Sequence, residues 1–107
     1  MVVEQYDAIG LIEVKYFTLA SQLLDAMCKG SEVVFVSSEN DLGGRLVTLV
    51  IGGTIENVQA ALDIAVTISS QFDGHYLMNT VLISQPSDEI MNYLGEERKK
   101  KEDTNNE

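Results

Sequence analysis

A run of apolar residues bracketed by two glycine pairs constrains this chain more than any other feature. From Asp41 to Gly53 it reads Asp-Leu-Gly-Gly-Arg-Leu-Val-Thr-Leu-Val-Ile-Gly-Gly. Glycine pairs punctuate a chain because they accept backbone conformations that other residues resist. The segment from Leu46 to Ile51 between them is rich in β-branched and apolar residues and reads as a strand. It shows almost no polar alternation, the pattern of a strand covered on both faces. The expectation is a loop, a buried central strand, and a second turn that leads into a helix.

The flanking segments fit around that strand. Between Ala8 and Tyr16, Ile12, Val14 and Tyr16 alternate with Leu11, Glu13 and Lys15, which predicts a strand. Gly10 inside it predicts a close backbone approach or a bend. Thr18 is placed to cap a helix on which Leu19, Ala20, Leu23, Leu24, Met27 and Cys28 recur at spacings of three and four. Gly30 is its expected C-cap, and Lys29 is a favourable cation in the last turn. Glu32 to Val36 reads as a short strand, and Ser37 to Asp41 as polar loop. Thr54 is placed to cap a second helix carrying Val58, Ala61, Leu62, Ala65, Ile68, Ser69 and Phe72, with its end near Phe72. His75 to Ser84 reads as a last strand stopped by Pro86, the only proline, and Ser87 as the cap of a short helix from Asp88 to Leu94.

Strand, helix, strand, strand, helix, strand, short helix is the order of an α+β sandwich of the ferredoxin-like kind. It has a four-stranded antiparallel sheet with two main helices on one face and a short C-terminal helix. The other face then needs cover from the terminal helix or from another chain, which favours self-association. Residues 1–94 are expected to form one domain. Residues 95–107 contain no apolar side chain to anchor them and are expected to be a disordered, charged tail.

Charge and chemistry narrow the function classes. The chain of 107 residues has a formal net charge of -10, and residues 1–94 set twelve acids against Lys15, Lys29 and Arg45. That balance opposes binding to nucleic acid or to an anionic membrane surface. No apolar stretch reaches 18 residues, so no membrane span is expected, and the N-terminus lacks the pattern of a secretory leader. Cys28 is the only cysteine, so no internal disulfide can form; its place on the helical stripe marks it as a core or interface residue. His75 stands alone, and Asp25, Asp63, Asp73 and Asp88 have neither paired-carboxylate nor histidine spacing. No catalytic residue, metal ligand or cofactor is expected. Gly43-Gly44-Arg45 offers backbone amides that suit an anion, and equally suits a plain tight turn.

These pieces together resemble the bacterial microcompartment shell-protein family across about residues 8–94. Gly10-Leu11-Ile12-Glu13 resembles the family's first strand, and Asp25-Ala26-Met27-Cys28-Lys29 the end of its first helix. Gly43-Gly44-Arg45-Leu46-Val47-Thr48 is similar to its pore-loop turn and following strand, Gly53 to the glycine before its second helix, and Pro86 with Asp88 to its closing segment. The resemblance implies a homohexameric tile with no covalent chemistry of its own. Such tiles pack with other shell proteins into the coat of an organelle in the bacterial cytoplasm that encloses enzymes. Asp41, Leu42, Gly43, Gly44 and Arg45 would then be the pore loop through which small metabolites pass. Lys29, Gln85 and Pro86 would lie at the hexamer edge.

The sequence also departs from the family. Gly43-Gly44-Arg45 replaces glycine-serine-glycine, Gln85 replaces an edge arginine, Thr54 replaces a capping aspartate, and Ser37 to Asp41 is about two residues longer than usual. The departures suit a minor or specialised component, one that does not tile alone or whose hexamer is not flat. The competing reading is a small-molecule-binding regulatory domain of ferredoxin-like fold, for which Arg45 and the glycine turn are the available ligand groups.

Overall fold

A computed structural model describes residues 6–41, 43, 45–72 and 74–93, the Met78 side chain excepted. The elements are β1 (Ala8–Lys15), α1 (Phe17–Gly30), β2 (Val34–Asp41), β3 (Leu46–Gly53), α2 (Ile55–Ser69) and β4 (Leu77–Ser84). A short helix α3 follows at residues 88–93. The four strands form one sheet in the order β2-β3-β1-β4, with every neighbouring pair antiparallel. This is the expected ferredoxin-like arrangement. The expected charged tail, from residue 95 on, lies outside the described residues.

The two central strands are buried on the helix face along their length, and on the reverse face only towards the end where α3 packs. Ala8, Ile12 and Val14 of β1 and Val47, Leu49 and Ile51 of β3 join Leu19, Leu23 and Met27 of α1 and Val58, Ala61, Leu62 and Ala65 of α2 in the main core. Gly10 lets α2 settle onto β1: a Cβ there would stand 2.9 Å from Val58 Cγ1, with Ile51 and Leu62 also crowding it. On the opposite face, Ile9, Val36 and Val50 surround Met91 of α3, with Tyr6, Leu11 and Ile83 packed alongside. The terminal helix therefore supplies part of the cover that the second face requires. Ser87 caps it, as expected, its Oγ accepting from the Ile90 N–H at 3.2 Å.

Several boundaries differ from expectation, each for a physical reason. Residues 37–41 are strand, not loop: Ser37 to Asp41 pair with Val50 to Leu46. β2 is an edge strand with Glu39, Asn40 and Asp41 exposed, and an edge tolerates the polar sequence that a central strand would reject. Val36 is the extra residue of a bulge, which leaves both Val36 and Ser37 buried. In β4 a second irregularity separates the pairs Glu13–Asn79 and Val14–Leu77, so strict parity fails along that strand. Leu77 and Leu82 both pack against the main core despite their odd spacing.

The helix ends shift as well. α1 starts at Phe17, so Thr18 is helical and Tyr16 occupies the cap position without a side-chain cap bond. Gly30 is the last helical residue, and Ser31 closes the helix by donating both its N–H and its hydroxyl to the Met27 carbonyl. Thr54 caps α2 as expected, accepting from the Asn57 N–H at 3.1 Å. That helix stops at Ser69, before the expected Phe72. Cys28 is exposed on α1, so of the two expected places, core or interface, the fold excludes the core.

Candidate functional site

Strand pairing sorts the candidate residues onto opposite ends of the sheet. Lys15, Asp41, Leu46 and Leu77 mark one end, where β2 turns into β3. Ala8, Val34, Gly53 and Ser84 mark the other. α1 leaves β1 at the hairpin end and delivers the chain to β2 at the far end. Lys29, in its last turn, thus lies with Gln85 and Pro86 at the far end, and Asp41, Gly43 and Arg45 lie at the hairpin end.

The hairpin is short because β2 extends through Asp41. Gly43 has φ 67, a left-handed conformation that glycine adopts without a Cβ penalty, and a Cβ built there would meet no atom within 4 Å. Asp41, Gly43 and Arg45 are all exposed. Leu42 and Gly44 lie outside the described residues. The Arg45 carbonyl accepts a hydrogen bond from the Tyr16 N–H at 2.9 Å, which ties the base of the hairpin to the start of α1.

At the far end, Lys29 Nζ pairs with Asp25 Oδ2 at 3.1 Å across one helical turn. Both side chains are mostly exposed, and such a pair contributes only about 0.3–0.5 kcal/mol. Gln85 has φ 50 and is exposed, while Pro86 beside it is buried. The Gln85 N–H donates to the Asp7 carbonyl at 2.7 Å, which holds this bend against the start of β1.

Sequence reasoning missed an aromatic cluster at the hairpin end. Tyr16, at the start of α1, has φ 72, and its ring lies 5.9 Å from that of Tyr76, just before β4. Phe72, just after α2, meets Tyr76 edge-on at 6.5 Å. Tyr16, Phe17 and Phe72 are 48%, 56% and 41% exposed, an unusual amount of aromatic surface for one end of so small a sheet. The available signal was the placement of these rings at element ends, where neither strand nor helix periodicity calls for them.

Among the described residues no three histidine, cysteine or acidic side chains converge as a metal site, and no helix is long and apolar enough to cross a membrane.

Comparison with known proteins places this geometry in context. A family model described as "BMC domain" matches residues 8–86. The chain is 33% identical over 86 residues to the bacterial microcompartment shell protein PduK of Citrobacter freundii, covering 80% of this chain and 54% of PduK. It is 30% identical over 83 residues to the carboxysome shell protein CcmK2 of Thermosynechococcus vestitus, covering 78% of this chain and 80% of CcmK2. A solved microcompartments protein from Desulfitobacterium hafniense DCB shares the fold, with TM-score 0.67 at 20% identity, over 81% of this chain and 46% of that one. The chain thus spans about half the length of PduK and of the solved structure. By the family match along nearly all of the sheet and both main helices, this chain belongs to the BMC-domain shell-protein family.

Proposed function

We propose that this protein is a structural subunit of a bacterial microcompartment shell in the cytoplasm and assembles as a hexameric tile. The hairpins of six copies, Asp41 to Arg45, surround a central pore that passes small metabolites. Lys29, Gln85 and Pro86 lie on the outer edge, facing neighbouring tiles. Residues 1–94 act as one shell domain, and its partners are further copies, other shell proteins and the enclosed enzymes.

The observation that carries this reading is the match to the BMC domain over residues 8–86, joined to a topology that puts the pore candidates and the edge candidates on opposite ends of one sheet. A tile needs that polarity: one end gathers on the axis and the other faces outward. Sixfold repetition magnifies whichever charge lines the channel, a ring of Asp41 favouring cations and a ring of Arg45 favouring anions. The turn suits a close gathering, because Gly43 carries no side chain and its surroundings are open.

Electron microscopy of the wild type and of Lys29→Ala tests the assignment. Wild-type rings that associate into sheets, and variant rings that stay separate, are expected. A variant whose rings fall apart would move Lys29 from the outer edge to the contact between subunits.

A further inference from the structure

Three rings from separate segments enclose a cup at the hairpin end. Tyr16 comes from the junction of β1 and α1, Phe72 from the end of α2 and Tyr76 from the approach to β4. With Thr18, Leu19 and Gln22 they line a cavity of about 400 Å³. Tyr16 and Tyr76 are inclined at 57°, Phe72 and Tyr76 at 84°. Tyr16 is held at φ 72, a conformation that side chains rarely adopt, and its N–H is fixed on the Arg45 carbonyl.

We propose that this cup binds a small quaternary-ammonium cation. A flat ligand stacks best between parallel walls, and these walls are steeply inclined. A rounded onium group instead touches several inclined faces at once, and each face presents the negative side of its quadrupole. A quaternary nitrogen carries no N–H, so enclosing it among rings leaves no donor unpaired, as a primary ammonium would. None of the described lining residues bears a formal charge, and the net charge of -10 draws cations towards the protein. Lys15, next to Tyr16, follows the buried, helix-facing Val14 and so belongs to the opposite face of the sheet. The Thr18 hydroxyl and the Gln22 amide give the cup a polar lip that accommodates a hydroxylated substituent. The described residues that line the cup all come from one chain.

The test is a nuclear magnetic resonance titration of the full chain, its tyrosine and phenylalanine rings isotopically labelled, at constant ionic strength. Tetramethylammonium chloride is the probe, and tert-butanol is the neutral comparison of similar bulk. The expected result is saturable shifts at Tyr16, Phe72 and Tyr76, with tetramethylammonium at least about fivefold tighter than tert-butanol. Phe72→Leu, its fold checked by circular dichroism, is expected to weaken the cation at least about threefold. Equal affinity for the two probes, shifts that miss these three rings, or an unweakened Phe72→Leu would overturn the proposal. The comparison of the two probes on the unaltered chain needs no variant to fold.

Discussion

The two ends of the sheet are built differently. The far end is closed on both faces. α2 presses onto β1 at Gly10, and Met91 sits between Ile9, Val36 and Val50 on the reverse side. Among the described residues, the hairpin end is closed on the helix side only. There the reverse face carries Glu13, Lys15, Leu46 and Thr48, none of them in either buried cluster. Gly43 there has open surroundings, and the rings of Tyr16, Phe17 and Phe72 are about half exposed. The glycines make the same contrast: Gly10 is required by what surrounds it, and Gly43 by its own backbone angle. The cover on the reverse face is therefore concentrated at the far end, while exposed apolar side chains occur at both: Tyr16, Phe17 and Phe72 at the hairpin end, Val34, Phe35 and Ile55 at the far end.

The sharpest way to break this comparison is at the closed end. Gly10→Val forces a branched side chain into Val58, Ile51 and Leu62 and is expected to cost about 3 kcal/mol. For a domain of this size that lowers Tm by about 12 °C or more, read by circular dichroism. A near-neutral result would mean that α2 is not seated on β1 as closely as described. Met91→Ala removes the anchor of α3 and should cost about 2 kcal/mol, measured by urea denaturation. An unchanged midpoint would show that α3 does not close the reverse face.

Fold class, element order and the buried central strand were legible in the sequence, because hydrophobic period and glycine punctuation are local signals. The Thr54 and Ser87 caps and the close approach at Gly10 were legible for the same reason. The polar part of β2 was not: Ser37 to Asp41 has the composition of a loop, and only its position at a sheet edge makes it strand. Parity along β4 was hidden by the irregularity around residue 78, since an inserted residue reverses every later side chain without leaving a mark in composition. Asp41, Gly43 and Arg45 were singled out as pore-loop candidates by the resemblance of the segment around the glycine turn to the shell-protein family. The rings of Tyr16, Phe72 and Tyr76 are far apart in sequence, and only the topology brings them together.

Smaller effects sharpen the account of the open end. At Tyr16 the backbone angle disfavours any side chain, so Tyr16→Gly should be more stable than Tyr16→Ala by about 1 kcal/mol in urea denaturation. Both variants lack the ring, and the difference isolates the backbone; equal stabilities would mean that φ relaxes in solution. Smallest of all, Lys29→Ala should change stability by less than about 0.5 kcal/mol, since its ion pair with Asp25 is exposed. A larger loss in thermal unfolding would show that Lys29 supports the fold rather than an outer edge.

The measurement that tests the central claim most directly is native mass spectrometry of the purified chain. The account predicts a dominant species of six chains, which supplies the axis on which Asp41 to Arg45 can form a pore. A stable dimer or trimer, with no six-chain species, would leave no such axis and contradict the tile.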